Sequence, residues 1–508
     1  MVSVQSPDGN LRDRLRLLKT ADDVSTLLGV DKSKLIYHLY LLPSGKRYTV
    51  FEIPKRSGGK REIKAPVSAL KIIQRRLNEV LQQVYRPRAT THCFIRGENI
   101  VKNARVHVGK KWVFNIDLKD FFPTITFPRV RGLFINKPYL IEDAAATVLA
   151  QICCDDSKLP QGAPTSPIIS NMICSKLDNE LNRLAKKYDC ICTRYADDIT
   201  FSKSGHDFPE AVAVTDSNGI TEVGEELKTI IKQNWFEVNM DKVRLFRNNV
   251  RQQVTGLIVN KKLNVKRRYV RQVRAMLHAW ERDGLEEAGK NFFERHYHKH
   301  RISLKGSPSY KHIINGKLGF MKMVLGKENQ VFKRYYFQYK RLCLLDIYEV
   351  LEKLRDRQKR GYLLQDLLIH MFELYEIEAT PSFTRSNGGE QIDGGFELDG
   401  GHFIVECRWR AKVARIREVD GLYGQIGRSG ASTKGLFLSI NGWSGHVQEL
   451  IKQNTSKNII LMNGNDIQCV LRKRINLKEF IKAKLQHLNL RGEPYCGEEA
   501  YLASTNKK

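Results

Sequence analysis

At 508 residues the chain exceeds one ordinary domain, and its 42% hydrophobic and 28% charged content is that of a folded protein of two or three domains. Lysine and arginine outnumber aspartate and glutamate by 85 to 55, a formal charge of +30 with a pI near 9.7, which points to nucleic acid as the partner. No run approaches the ~18 apolar residues of a membrane helix, no apolar stretch opens the chain as a signal peptide would, and the ten cysteines fall at no metal-ligand spacing, so a reduced, cytoplasmic protein without a membrane is expected.

Short helices are expected over Leu11–Leu18, Ala21–Leu28 (capped by Thr20) and Lys32–Leu41. Tyr48 to Ile63 has the shape of a hairpin whose turn, Lys55-Arg56-Ser57-Gly58-Gly59-Lys60-Arg61, is basic and contains glycine. The helix from Val67 to Tyr85 carries Leu70, Ile73, Leu77 and Val84 on one stripe, with Lys71, Arg75 and Arg76 mainly off it. In Asn103-Ala104-Arg105-Val106-His107 the first and last residues share a helix face. The strand that follows puts Trp112, Phe114 and Ile116 on one face and ends in Asp117 on the other.

Leu159-Pro160-Gln161-Gly162-Ala163-Pro164-Thr165-Ser166-Pro167 is a loop whose Gly and Pro residues permit a tight backbone pass. It runs into a helix with Ile173, Leu177, Leu181 and Leu184 on one face. Strands Cys190–Tyr195 and Ile199–Ser202 then leave Asp197 and Asp198 at the tip of a hairpin. An isolated Asp-Asp pair is an ordinary turn. With Asp117 as a third carboxylate, the set suits a pair of Mg²⁺ ions, which prefer oxygen ligands. Two such ions about 4 Å apart can stabilise both the attacking and the leaving oxygen of an in-line displacement.

Val254-Thr255-Gly256 reads as a strand ending in a Gly turn. Over residues 265–284 a helix turns Val270, Val273, Leu277 and Trp280 inward, while Arg267, Arg271, Arg274 and His278 form a basic stripe suited to a nucleic-acid backbone. The run Arg295-His296-Tyr297-His298-Lys299-His300-Arg301 has no Cys or carboxylate at ligand spacing, so RNA contact is expected of it rather than metal. A basic helical connector spans Phe332 to Gln358.

Tyr195-Ala196-Asp197-Asp198 with Asp117 upstream resembles the palm of a reverse transcriptase. By that resemblance Asp117, Asp197 and Asp198 would be the catalytic, Mg²⁺-holding residues. The Gln161-Gly162 loop would cradle the incoming dNTP, Phe122 would stack beneath the deoxyribose and clash with a 2′-hydroxyl, and Lys242 and Arg61 would reach the triphosphate. Cys93-Phe94-Ile95-Arg96-Gly97 resembles the second fingers motif, with Cys93 where glycine is usual. The Asn103/His107 block and Val254-Thr255-Gly256 are similar to blocks that mark the bacterial retron reverse transcriptases. There they are associated with recognition of the enzyme's own structured noncoding RNA, which fits the way structured RNA is read by polar side chains. The resemblance covers residues 1 to 335 and implies RNA contacts at Asn103, His107, Val254, Thr255, Gly256, Arg267, Arg271 and Arg274. It further implies synthesis of branched RNA–DNA (msDNA), primed from the 2′-hydroxyl of a guanosine.

After Arg360 the composition shifts. An apolar helix begins at Gly361, a glycine-rich stretch holds Asp393, and His402–Trp409 reads as a strand with Glu406 and Arg408 on one face. A turn at Asp399-Gly400-Gly401 would bring Asp393 near Glu406. With a helix at Val413–Ile426, a strand at Lys434–Ile440 and another near Asn458–Met462, residues 360 to about 475 resemble the Mrr-like branch of restriction-endonuclease-like folds. Asp393, Glu406 and Arg408 would be its nuclease site, with one or two Mg²⁺. Two departures stand out: Arg408 occupies the lysine position and stays protonated, and Gln365 sits where a glutamate is common.

The expected fold is α+β and multidomain, a right-hand polymerase of fingers, palm and thumb with a C-terminal α/β restriction-endonuclease-like domain. The expected divisions are an N-terminal helical extension (1–45), fingers and palm (46–260), a basic thumb (261–335), a connector (336–360), the effector domain (361–475) and a tail (476–508). The expected partners are a cognate noncoding RNA with its msDNA, and dNTPs, with oligomeric state left open and a fused effector acting in anti-phage defence. A group II intron-type or other bacterial reverse transcriptase is the nearest rival. A nucleic-acid-binding protein with an inactive nuclease fold is the rival of another class.

Overall fold

The computed structural model describes residues 11–54, 58–217, 219–297, 309–385, 390–454 and 456–505. The hairpin tip at 55–57, the basic aromatic run from His296 onward and Gly388-Gly389 therefore lie outside the described residues or side chains. The chain forms two compact units, Met1–Lys266 and Arg267–Lys508. No described helix is long and apolar enough to cross a membrane, and all ten cysteines are free thiols.

In the first unit the helices Leu11–Arg16, Ala21–Leu28 and Lys32–Ile36 bury Leu15, Val24, Leu28 and Leu35 in the same core as Leu70, Ile73 and Leu77 of the helix Ser68–Val84. Thr20 caps the second through a reciprocal box, its hydroxyl accepting from Asp23 N and its own N–H donating to the Asp23 carboxylate at 2.8 Å. Tyr48–Pro54 and Lys60–Pro66 pair as the expected hairpin, with Val50, Phe51 and Ile53 exposed.

The centre of this unit is an antiparallel four-stranded sheet in the order Ile191–Tyr195, Asp198–Lys203, Trp112–Asp117, Arg244–Arg247. Phe114 and Ile116 enter the main core, but Val113 on the opposite face is fully buried as well. Both faces of the strand are covered, so simple alternation shows only half of its packing. The helix expected after Pro167 is two helices, Ser166–Ile173 and Ser175–Lys187, separated at Cys174. Ser175 Oγ donates to the Asn171 carbonyl at 3.3 Å there, a local bond that competes with the helix ladder.

In the second unit, helices Arg267–Asp283, Leu285–Tyr297, Tyr310–Leu325 and the first half of Gln330–Lys353 share a core around Leu277, Trp280, Leu318 and Tyr339. The second half of that long helix sends Leu344, Tyr348 and Leu351 into another core, with Leu367 and Phe372 of helix Arg357–Leu374. The stretch expected as a connector is thus a packed element of both cores. A five-stranded sheet follows, in the order Glu378–Thr380, Gly394–Leu398, Gly401–Arg408, Lys434–Ser439, Ile459–Asn463. The first three strands pair antiparallel and the last three parallel, the helix Ile416–Gly427 making the first crossover. Asp399 and Gly400, at φ +50° and +77°, form the turn, which is one residue shorter than expected because Gly401 already pairs with Leu398.

The stretch expected as a tail from 476 is instead part of this core. Helix Leu477–Arg491 buries Phe480, Ile481 and Leu488, and Lys484 pairs with Asp466 at 2.9 Å, both side chains fully buried. A lysine among hydrophobic positions masks such a helix in sequence, because its buried partner is eighteen residues away.

Candidate active site

The site is assembled at one end of the four-stranded sheet. Asp117 closes its strand directly across from Asp198. Tyr195 pairs with Asp198, so Ala196 and Asp197 form a two-residue turn with Ala196 at φ +58°. That left-handed conformation is uncommon for alanine and is held from beneath. The Ala196 N–H points at Cys93 Sγ, 2.9 Å away, and its carbonyl accepts from Arg194 Nη1 at 3.1 Å. Arg194 is fully buried and grips Asp178 through Nε–Oδ1 at 2.6 Å and Nη2–Oδ2 at 2.8 Å, while Asp178 Oδ2 also accepts from Thr91 Oγ1 at 2.7 Å. Asn171 completes the network, accepting from Cys93 Sγ at 3.4 Å and from Arg194 Nη2 at 3.3 Å. The acidic turn therefore rests on a buried, bidentate ion pair.

Crowding acids shapes the electrostatics. Asp198 keeps an exposed edge, but desolvation by the protein around it, followed by the neighbouring Asp197 and Asp117 carboxylates, pushes it up to about 7. Asp197 is raised by burial and then by Asp117. Lys242 Nζ lies 2.7 Å from Asp117 Oδ2; burial works against its charge, but the Asp117 bond and the three acids hold its pKa up. No group of three or more His, Cys, Asp or Glu among the described residues forms a ready metal cage. The donor set nevertheless fits Mg²⁺: all oxygen, with a repulsion among three carboxylates that a divalent cation would relieve. Asp117, Asp197 and Asp198 are the residues that would hold it.

A cleft of about 850 Å³ opens beside Asp117 and Asp197, lined among others by Arg61, Phe122, Gln161 and Lys242. Those sequence candidates thus meet at one cavity of the size small-molecule sites have. Phe122 is half-buried and rests edge-on against Phe121, whose ring stacks on Phe236. Gly162 lies against the hairpin. At φ +126° its missing Cβ would sit 2.8 Å from the Lys64 carbonyl, so the close backbone pass is made by the hairpin strand Lys60–Pro66. Lys64 N donates to Gln161 O at 2.9 Å, and Lys64 Nζ pairs with Asp155 and Asp156 at 2.7 and 2.6 Å. Nothing in the local residue pattern hints at this docking, because none of its partners is near in the chain.

The expected RNA contacts divide. His107 is fully buried, with Nδ1 2.7 Å from Ser202 Oγ and Nε2 2.8 Å from Thr193 Oγ1, and burial pushes it down to about 3. Asn103 is buried too, its amide donating to Thr255 Oγ1 at 3.5 Å, and Val254 is fully buried. Direct RNA contact through these three side chains is corrected: they have no surface to offer. Asn103 and Thr255 instead join the helix Ile100–Arg105 to the hairpin of Gln253–Val254 and Leu257–Ile258, while His107 bonds the strands Ile191–Tyr195 and Asp198–Lys203. That hairpin bonds the sheet, Gln253 O accepting from Asn115 Nδ2 at 3.1 Å. Ser202, Thr193 and Asn115 lie on the face that carries Asp117 and Asp198, so the two blocks floor that face. Thr255 is half-buried and Gly256 exposed at φ +83°, and Arg267, Arg271 and Arg274 are exposed on their helix.

In the second unit Asp393, Glu406 and Arg408 do come together. Arg408 Nη1 lies 3.3 Å from Asp393 Oδ2, its Nη2 bonds Glu406, and Cys407 N donates to Asp393 Oδ2 at 2.9 Å. One guanidinium thus neutralises both acids.

Residues 53–260 match the family model described as reverse transcriptase (RNA-dependent DNA polymerase). The chain is 35% identical to the retron Mx65 reverse transcriptase of Myxococcus xanthus over 321 residues, covering 59% of this chain and 70% of that protein. It is 32% identical to the retron Ec86 reverse transcriptase of Escherichia coli over 238 residues, 46% of this chain and 69% of that protein. A telomerase structure from Candida albicans, with a fragment of telomeric RNA, aligns at a TM-score of 0.32 and 10% identity over 68% of each chain, a likeness too slight to carry an argument.

Proposed function

Since this chain belongs to the retron reverse transcriptase family, we propose that it copies its own structured noncoding RNA into DNA and starts the copy on an RNA 2′-hydroxyl, leaving a branched RNA–DNA product. The observation that carries this reading is the cross-strand pair Asp117–Asp198 with Asp197 at the adjoining turn, opening on a cleft that Arg61 and Lys242 line. In each addition a hydroxyl oxygen gives up its proton to solvent and bonds to the α-phosphorus of a dNTP as the α–β phosphoanhydride bond breaks and pyrophosphate leaves. Mg²⁺, when bound by the three acids, supplies charge stabilisation at the attacking and leaving oxygens. Arg61 and Lys242 bring positive charge to the triphosphate, and Lys242 exchanges Asp117 for phosphate oxygens as the nucleotide enters. Phe122, braced by Phe121, closes the space under the sugar and disfavours a 2′-hydroxyl. The test is chemical: nucleic acid copurifying with the protein should contain DNA that keeps one RNA nucleotide after exhaustive ribonuclease digestion, and DNA free of any such residue would refute 2′ priming.

We also read the C-terminal sheet as a nuclease-like effector, with Asp393 and Glu406 as its acids and anti-phage defence as its setting. Support comes from the convergence of those acids on Arg408 at the strand Gly401–Arg408. Mg²⁺-dependent DNA cleavage by the full chain should vanish in Asp393→Ala and Glu406→Ala; cleavage unchanged in both would remove this assignment.

A further inference from the structure

The basic stripe on the helix Arg267–Asp283 has a second wall. A cavity of about 310 Å³ lies between that helix, the helix Gln330–Lys353 and the turn that follows helix Gly464–Leu471, and its lining includes Arg274, His278, Arg334, Tyr335, Phe337 and Lys473. The turn is Arg472-Lys473-Arg474, three exposed cations in a row. Its backbone is fixed by Arg472 N to Gln468 O at 2.8 Å, Lys473 N to Val470 O at 3.0 Å and Arg474 N to Cys469 O at 2.8 Å, with Lys473 at φ +60°.

Two features make this a built groove rather than scattered surface charge. The acid in its lining, Glu281, is already committed: Arg341 Nη2 bonds one of its oxygens and Gln338 Nε2 donates to the other at 2.9 Å. Arg341 is 1% exposed and also donates to Leu471 O, so one buried guanidinium ties the basic helix, the long helix and the base of the basic turn together. Arg274, Arg334 and Lys473 form no ion pair with a carboxylate among the described residues. Arg267, Arg271 and Arg274 continue the positive surface along one helix face for about 10 Å at 1.5 Å per residue, the extent of a polyanion rather than of a single phosphate ion.

We propose that this groove is a second nucleic-acid site, in which the C-terminal domain, through Lys473, helps grip the sugar–phosphate backbone of the RNA–DNA hybrid that the polymerase makes. The choice of hybrid rests on the polymerase reading; the groove itself rests on charge and geometry.

The test uses the full chain, freed of nucleic acid at high salt, and a labelled 20-base-pair RNA–DNA hybrid read by fluorescence anisotropy across a salt series. Lys473→Glu and Arg334→Glu should each weaken binding roughly tenfold at low salt and lower the log–log salt slope by about 1. Lys353→Glu, an exposed lysine on the same long helix outside the groove, should change neither. Wild-type affinity for Lys473→Glu beside a weakened Arg274→Glu would overturn the proposal. So would an equal loss in Lys353→Glu, which would make the effect one of net charge, or a loss confined to a DNA duplex probe. Primer extension by the wild type, run in parallel, tests the polymerase reading by itself, since a failure of the groove leaves extension intact.

Discussion

Cys93 and His107 show how single buried side chains support the sheet face that carries Asp117 and Asp198. The Cys93 thiol accepts from the Ala196 N–H, which fixes the left-handed turn before Asp197. Cys93→Gly removes that acceptor, and losing one such bond, about 0.5–1.5 kcal/mol, should slow the single-turnover rate of nucleotide addition three- to tenfold. Cys93→Ser should recover most of it; equal rates in wild type and Cys93→Gly would show that the thiol positions nothing. His107 titrates near 6.5 when unfolded and at about 3 in the fold, so between those values the unfolded chain binds a proton that the folded one does not. Its contribution is therefore complete above about 6.5 and is lost as pH falls through that window, about 2 kcal/mol between pH 6.5 and 5. Thermal melts at pH 7.5 and 5.0 should drop further for wild type than for His107→Gln, and identical drops would contradict this. Asp117, Asp197 and Asp198 were legible in the sequence because three carboxylates at strand ends repel one another unless a cation joins them. His107 stayed ambiguous, because a spacing of four says which residues share a face and not whether that face is covered.

At the scale of elements, the hairpin Tyr48–Pro66 is seated on the loop before helix Ser166–Ile173 by one backbone bond and the Lys64–Asp155 pair. Gly162→Ala forces a Cβ against the Lys64 carbonyl in a conformation alanine avoids, a strain on the order of 1–3 kcal/mol. The hairpin carries Arg61, so KM for dNTP should rise severalfold with a smaller change in kcat; an unchanged KM would show that the docking does not govern the nucleotide. In the other unit, the strand Gly401–Arg408 and its two-residue turn were readable from alternation and glycine, whereas the dual grip of Arg408 was not. Lysine has a single point charge and a shorter reach than the planar guanidinium. Arg408→Lys should free one acid and raise Mg²⁺-dependent DNA cleavage at least tenfold over the wild type, measured on supercoiled DNA; no gain would mean that the arginine is not what restrains the site.

Over the whole molecule, motif order and composition announced a polymerase followed by a second fold, and the excess of 30 positive charges is the kind that nucleic acid would meet. The joints were hidden. The helix Gln330–Lys353 serves two cores, and the segment from Leu477 closes the last of them through the buried Lys484–Asp466 pair. Contacts of this kind depend on partners far away in sequence, so composition shifts place the boundaries too early or too late. Whether Asp117, Asp197 and Asp198 act as one site is read out by extension of a primer on an RNA template with dNTPs and Mg²⁺. Wild-type protein should extend it, and Asp117→Ala, Asp197→Ala and Asp198→Ala should each lower the rate at least a thousandfold (a loss of about 4 kcal/mol) while keeping the wild-type melting profile. Extension within tenfold of wild type by any one of the three would contradict the account.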